Sequence, residues 1–210
     1  MSTLFNQAIS KRYDELAGQQ CCLSCGGAIN FANIEPGFTC ADLGSGKGYD
    51  VLRMATMAGE QGFAWGIDIS GKMIETARQN ANSLKLKNTA FIESELENIS
   101  LENNSVDVVI SNCTINHSLK QNLVYKEIYR ILKKGGSFVI SDIYALERVP
   151  ESFRNNPEMV AQCWAGAVLK EEYVDNICKA GFAKFEFIEE SNPYEKGEIK
   201  VCSFTLMGKK

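Results

Sequence analysis

The run Asp42-Leu43-Gly44-Ser45-Gly46-Lys47-Gly48 carries the clearest chemical signal in the chain. Its alternating glycines let the backbone turn sharply and approach a ligand closely. It follows a short apolar run, the setting in which α/β sheets bind ligands at a strand's carboxyl end. The spacing is GxGxG, not the GxGxxG of a dinucleotide fold, and without a GK[ST] ending it is no phosphate-binding P-loop. Asp42 precedes the loop and Asp68 ends the next apolar run, where a carboxylate can hold both hydroxyls of a ribose. Glu95-Leu96-Glu97 offers an acidic group to an adenine amine. The bland alternative is a tight turn flanked by solvated acids.

Sulfur is the second signal, with eight cysteines in 210 residues. A core of this size needs no disulfide staples, so each cysteine is weighed alone. Cys40, Cys178 and Cys202 lie in apolar stretches and read as small core hydrophobes. Cys113 follows the fourth apolar strand directly, at the ligand-binding end, and Cys163 lies in Gln162-Cys163-Trp164-Ala165-Gly166-Ala167. Cys21, Cys22 and Cys25 share an N-terminal loop. Soft thiolates suit thiophilic centres, and trivalent arsenic or antimony takes up to three of them. Cys22 and Cys25 also form a CxxC, but a structural zinc site needs four ligands, and the chain has no second CxxC and one histidine. A redox CxxC would want a thioredoxin-like setting, which is missing. Inert thiols are the remaining alternative. The single histidine, His117, reads as a helix-entry or packing residue, with a catalytic base as the alternative.

These residues need a scaffold, and the apolar pattern supplies one. Helical spacing of Phe5, Ile9, Tyr13 and Leu16 predicts an amphipathic helix over 4–17, followed by the cysteine loop and a stretch to Asn33 with helical character. Strands are expected at 38–43, 62–68, 89–92, 106–111 and 137–142. Helices are expected at 49–58, at 72–84 behind an N-cap at Ser70, and at 119–132, closed by Lys133-Lys134-Gly135-Gly136. Residues 150–181 read as helices, and 184–188 and 200–207 as strands, with Asn192-Pro193 and Gly197 in the turn between them. Such alternation predicts an α/β fold: a doubly wound, mostly parallel seven-stranded sheet, Rossmann-like, with a closing antiparallel hairpin. Residues 1–36 form an N-terminal helix and Cys-rich loop, and 37–210 one domain with a helical insert about 147–180.

Composition is ordinary, 45% apolar and 23% charged, and the net charge is −4. With no basic stripe, neither nucleic acid nor an anionic membrane is an expected partner. No signal peptide opens the sequence and no run reaches the roughly 18 apolar residues of a membrane span, so a cytoplasmic protein is expected.

The runs DLGSGKG, GID, ESELE, VDVVISN and ILKKGGSFVISD together resemble the class I S-adenosylmethionine methyltransferases. Arg12-Tyr13-Asp14-Glu15-Leu16-Ala17, Cys25-Gly26, DLGSGKGYDVL, VDVVISNCTIN, EIYRILKKGG and CWAGA followed by KEEY and AGF further resemble the arsenite S-adenosylmethionine methyltransferase family. At 116–121 the chain reads Asn-His-Ser-Leu-Lys-Gln where that family usually continues Asn-Leu-Ser-Pro-Asp-Lys. The resemblance implies that Asp42, Gly44 and Gly46 line the methionine end of the cofactor, Asp68 the ribose, and Glu95 and Leu96 the adenine. It adds Ser45, Ile69 and Met73 to the cofactor-binding set, and turns Ser111 and Asn112 toward the sulfonium. It implies that Cys25, Cys113 and Cys163 hold arsenite as thiolates, with the arsenic lone pair aimed at the methyl group. A thiol reductant, glutathione or thioredoxin, is the implied co-substrate, with Cys21 and Cys22 as candidate resolving thiols. Two rivals stand beside this reading. One is a methyltransferase for a small organic acceptor with His117 as base; the other is a thiol-rich metalloid binder that transfers nothing.

Overall fold

The computed structural model describes residues 2–19 and 27–210. Cys21, Cys22 and Cys25 lie outside the described residues. One sheet organises the chain, in the order β3-β2-β1-β4-β5-β8-β6, with the short β7 paired to β8. Its parallel part is β1 (Thr39–Leu43), β2 (Phe63–Asp68), β3 (Thr89–Glu93), β4 (Val106–Asn112) and β5 (Leu132–Ala145). The closing strands β6 (Lys184–Glu190), β7 (Tyr194–Lys196) and β8 (Ile199–Lys209) run antiparallel. Strand order reverses between β1 and β4, so the carboxyl ends of these two strands open a crevice.

The helices sit where apolar spacing asks for them. α2 (Tyr49–Ala58) buries Val51, Leu52, Met54, Ala55 and Ala58 against the sheet. α3 (Gly71–Ser83) is capped by Ser70, whose Oγ accepts from Met73 N at 3.1 Å. α4 (Gln121–Ile131) buries Val124, Tyr125, Ile128 and Ile131 on one face and packs on α7 (Lys170–Ala180). β4, with Val108, Val109 and Ile110 buried, is covered on both faces, as a parallel strand must be. α1 (Ser2–Ala17) leans on α3 and α6 (Pro157–Val160).

Four details depart from the sequence reading. Lys133-Lys134-Gly135-Gly136 does not close a helix but belongs to β5, which begins at Leu132 and carries an irregularity opposite Val106/Val108. The sheet has eight strands, because β7 forms an extra short rung on β8, and Gly197 turns between these two. The insert is only partly helical, with α5 (Glu151–Arg154), α6 and a 3-10 turn at Trp164–Gly166 before α7. Cys178 is exposed, not core: α7 buries Tyr173 and Ile177, and the next position along the helix turns outward. Cys40 and Cys202 are buried as expected. Among the described residues no helix is long and apolar enough to cross a membrane.

Candidate active site

A cavity of 730 Å³ opens at the strand-order reversal, within the range of small-molecule sites. Its floor is the glycine loop after β1. Gly44 N and Ser45 N donate to Ile67 O at 2.8 and 3.0 Å, which bends the loop back over β2. Asp68 stiffens the same bend, its Oδ2 accepting from Gly46 N at 2.8 Å and its Oδ1 from Ser70 N at 2.9 Å. Each carboxylate oxygen keeps a second lone pair for a ligand hydroxyl.

Asp42 is 3% exposed, and its Oδ1 is buried with no hydrogen-bond partner among the described residues. Burial, reinforced by Asp50 and Asp68, pushes its carboxyl well above the usual range. A buried, partnerless acceptor beside other acids is costly unless a cation completes it. The ammonium of a methionine moiety suits that oxygen in chemistry, and Asp68 beyond the glycine loop suits a ribose. Asp50, Arg53 and Asn30 form the adjoining rim, with Arg53 Nη1 3.1 Å from Asp50 Oδ1 and Nη2 3.2 Å from Asn30 Oδ1. Asn112 Nδ2 donates to Asp50 Oδ2 at 3.1 Å, and its Oδ1 accepts from Ala28 N at 3.1 Å.

At the far end Glu95, Leu96 and Glu97 line the cavity. Glu95 Oε1 accepts from Asn6 Nδ2 of α1 at 2.5 Å, and Glu97 Oε1 from Ser118 Oγ at 2.5 Å. Ser45 and Ile69 are on the wall as well. Met73 and Ser111 stand behind it: both are fully buried, and the Ser111 hydroxyl donates to Leu43 O at 2.9 Å.

Cys113 and Cys163 line the same cavity. Fifty positions apart in sequence, they meet where the loop after β4 touches the turn after α6, with Cys163 Sγ 3.5 Å from Cys113 O and 3.9 Å from Asp142 Oδ1. Both have left-handed backbone, φ 50° at Cys113 and 75° at Cys163, which costs a non-glycine residue energy. A buried polar network holds them in it. Asn116 Nδ2 donates to Asp142 Oδ1 at 2.9 Å and to Ile143 O at 2.8 Å. Asn116 Oδ1 accepts from Tyr173 OH at 2.9 Å and from Gln121 Nε2 at 3.0 Å, and Gln121 also reaches Gly166 O at 3.2 Å. Gly166 lies so close that a Cβ there would sit 1.7 Å from Asn116 O. Burial raises the Asp142 carboxyl to about 6.

Of the residues singled out in the sequence, the cavity therefore gathers Asp42, Gly44, Ser45, Gly46, Asp68, Ile69, Glu95, Leu96, Asn112, Cys113 and Cys163. Tyr13 and Lys196 are among the lining residues that were missed in these roles. Tyr13 read as one member of an apolar helix stripe, yet it faces the cavity; its hydroxyl was the available signal. Lys196 arrives from the end of β7, and no local pattern points to it.

His117 also lines the cavity, but both ring nitrogens are engaged. Nδ1 is 3.0 Å from Val160 O, and Nε2 is 2.8 Å from Tyr13 OH. Burial lowers its value from 6.5 to about 4. As the chain's single histidine, it is directly readable by 1H–15N spectroscopy of the imidazole. The ring is expected to remain neutral, with hydrogen on Nδ1, from pH 8 down to about 5; a titration near 6.5 would show that it is not buried in this way. Between pH 6.5 and 4 the unfolded ring takes up a proton that the folded ring refuses, so this group lowers stability as pH falls through that window. Asp142, whose folded carboxyl keeps its proton up to about pH 6, acts in the opposite sense over much of the same range.

Residues 34–190 match the family model described as a methyltransferase domain. The chain is 34% identical over 164 residues to an arsenite methyltransferase of Halobacterium salinarum, covering 78% of this chain and 42% of that protein. It is 32% identical over 177 residues to the arsenite methyltransferase of Mus musculus, covering 78% of this chain and 47% of that one. The chain thus spans less than half the length of these curated relatives. Among solved structures, the arsenic(III) S-adenosylmethionine methyltransferase from Chlamydomonas reinhardtii superimposes with a TM-score of 0.73 and 29% identity, over 99% of this chain and 73% of that one. A phosphoethanolamine N-methyltransferase from Haemonchus contortus, at 18% identity and a TM-score of 0.74, shares the fold.

Proposed function

The chain belongs to the methyltransferase-domain family and is a homologue of the arsenite methyltransferases, and from that premise we propose that it transfers a methyl group from S-adenosylmethionine to trivalent arsenic held by cysteine thiolates. The observation that carries this reading is the pairing of Cys113 and Cys163 on one cavity with Asp42 and Asp68, both cysteines in strained left-handed backbone. Strain of that kind persists where surrounding structure enforces it, and it clusters at functional sites.

S-adenosylmethionine, when bound, supplies an electrophilic methyl group on a sulfonium. Asp42 holds the ammonium of its methionine moiety, Asp68 its ribose hydroxyls, and the Glu95–Glu97 segment its adenine. Arsenous acid enters as substrate by exchange at sulfur. An As–S bond forms, an As–O bond breaks, and the thiol proton leaves with the hydroxide as water. Cys113, Cys163 and, by family likeness, Cys25 are the three thiolates. Arsenic brings its own lone pair, so no side chain has to remove a proton at the moment of transfer. The protein's work is position and exclusion of water.

After transfer the arsenic has lost two electrons to the new As–C bond in the formal count. A thiol reductant, glutathione or thioredoxin, returns them, with Cys21 or Cys22 as candidate relay thiols. The organic-acceptor alternative needs His117 as base. Its Nε2 already accepts a hydrogen bond from the Tyr13 hydroxyl, which counts against that alternative.

The deciding experiment incubates reduced protein with S-adenosylmethionine, arsenite and a thiol, and separates arsenic species by chromatography with elemental detection. Methylated arsenic is expected. Unchanged arsenite, with cofactor binding demonstrated by calorimetry, would sink the arsenic reading and leave the cofactor site standing. On the cofactor side, Asp68→Asn is expected to weaken S-adenosylmethionine binding by roughly ten- to a hundredfold, the scale of losing charged hydrogen bonds. Unaltered affinity would remove Asp68 from the ribose contact.

A further inference from the structure

We propose that His117 is a positioning residue that clamps the Tyr13 phenol, and with it helix α1, onto the thiol end of the cavity. The hydrogen-bond geometry leaves one tautomer. Val160 O can only accept, so Nδ1 carries the ring hydrogen and donates to it at 3.0 Å. Nε2 is then an acceptor, and the Tyr13 hydroxyl donates to it at 2.8 Å. Burial holds the phenol far above its usual value, so this donor stays protonated. The two rings also meet edge-on, 5.4 Å apart at 83°.

The clamp joins segments far apart in sequence. α1 carries Tyr13, the turn behind Cys113 carries His117, and Val160 closes α6 just before Cys163. Other polar contacts also fasten α1 beside the cavity. Asn6 donates to Glu95 at the adenine end, and Asp14 Oδ1 accepts from Ser70 Oγ at 2.6 Å beside the ribose acid. Tyr13 is the polar anchor at the third corner. Its ring lines the same cavity as Asp68, Cys113 and Cys163. A helix of 16 residues is marginal alone and depends on docking to hold its place. Without the clamp, that wall of the chamber loosens where acceptor and methyl group must meet, while Asp42 and Asp68 still hold the cofactor.

This inference rests on the cavity being a methyl-transfer chamber, and hydrogen exchange reads the clamp itself without arsenic. The full chain is compared as wild type, His117→Leu, Tyr13→Phe, the double variant and His117→Gln. Amide exchange over α1 is expected to rise about tenfold in each single variant and no further in the double, the size of one hydrogen bond removed once. The glutamine amide accepts from Tyr13 and donates to Val160, so His117→Gln restores protection. Methylation kcat is expected to fall on the order of tenfold in His117→Leu, with S-adenosylmethionine affinity within about twofold of wild type. Unchanged α1 exchange, additive effects of the two substitutions, or cofactor affinity falling in step with kcat would overturn the proposal. If wild type fails to methylate arsenite, the arsenic reading falls, and α1 exchange alone decides the clamp.

Discussion

Cys163→Ser and Cys113→Ser are each expected to reduce arsenite methylation by at least about a hundredfold, while S-adenosylmethionine binds within about twofold of wild type. Serine is close to isosteric with cysteine, so the left-handed backbone at φ 75° and φ 50° is no more strained than before. What changes is the donor. A soft thiolate binds arsenic strongly, whereas a hydroxyl remains protonated at neutral pH and returns the metalloid to water. The residues proposed to hold the cofactor lie on β1, β2 and the segment after β3, whereas Cys163 Sγ lies against Cys113 O and Asp142 Oδ1. Arsenic speciation gives the rate, and calorimetry gives the cofactor affinity. Full activity in either variant would strike that cysteine from the mechanism. Loss of cofactor affinity in step with activity would mean that the substitution had disturbed the cavity as a whole.

The second large effect is expected at Gly44. Its φ is 78°, and a Cβ built there would lie 2.1 Å from Thr114 Oγ1 and 2.3 Å from Thr114 Cγ2. Thr114 cannot swing aside freely, because its hydroxyl donates to Asn112 O at 2.8 Å. It also adjoins Cys113 in the chain. Gly44→Ala therefore combines backbone strain with a collision that pushes the Cys113 loop away from the glycine loop. Strain and overpacking of this kind together cost about 2–5 kcal/mol, and S-adenosylmethionine binding should fall below detection. Gly135→Ala separates the two causes: φ there is 84°, but nothing lies within 4 Å of the added carbon. That variant should lose only about 1–2 kcal/mol in a denaturant melt and bind cofactor normally. Equal behaviour of the two variants would show that the Thr114 contact is unimportant.

Much of the fold was legible because its signals are local. Three glycines in GxGxG, an aspartate at the end of each of the first two strands, a serine cap at residue 70 and the buried Val108-Val109-Ile110 run of β4 are decided by backbone freedom and burial within a few residues. Local signals also misled. Lys133-Lys134-Gly135-Gly136 looks like a helix end, yet pairing with β4 and β8 draws the chain into strand from Leu132. Cys178 sits in an apolar-looking stretch, but which side of α7 meets α4 is a packing outcome.

The site divides the same way. The sequence by itself determined the glycine loop, the acids at the ends of the first two strands, and a thiol at Cys113 just past the fourth. It determined these because residue type and distance from a strand terminus suffice. Only the tertiary structure decided that Cys113 and Cys163 share one cavity and adopt left-handed backbone, that Gly166 packs against the Asn116 backbone, and that the His117 ring meets the Tyr13 hydroxyl. Each of these is a contact between segments tens of residues apart, and such contacts are set by how the sheet orders its strands and how the insert folds back over them, which no local pattern encodes.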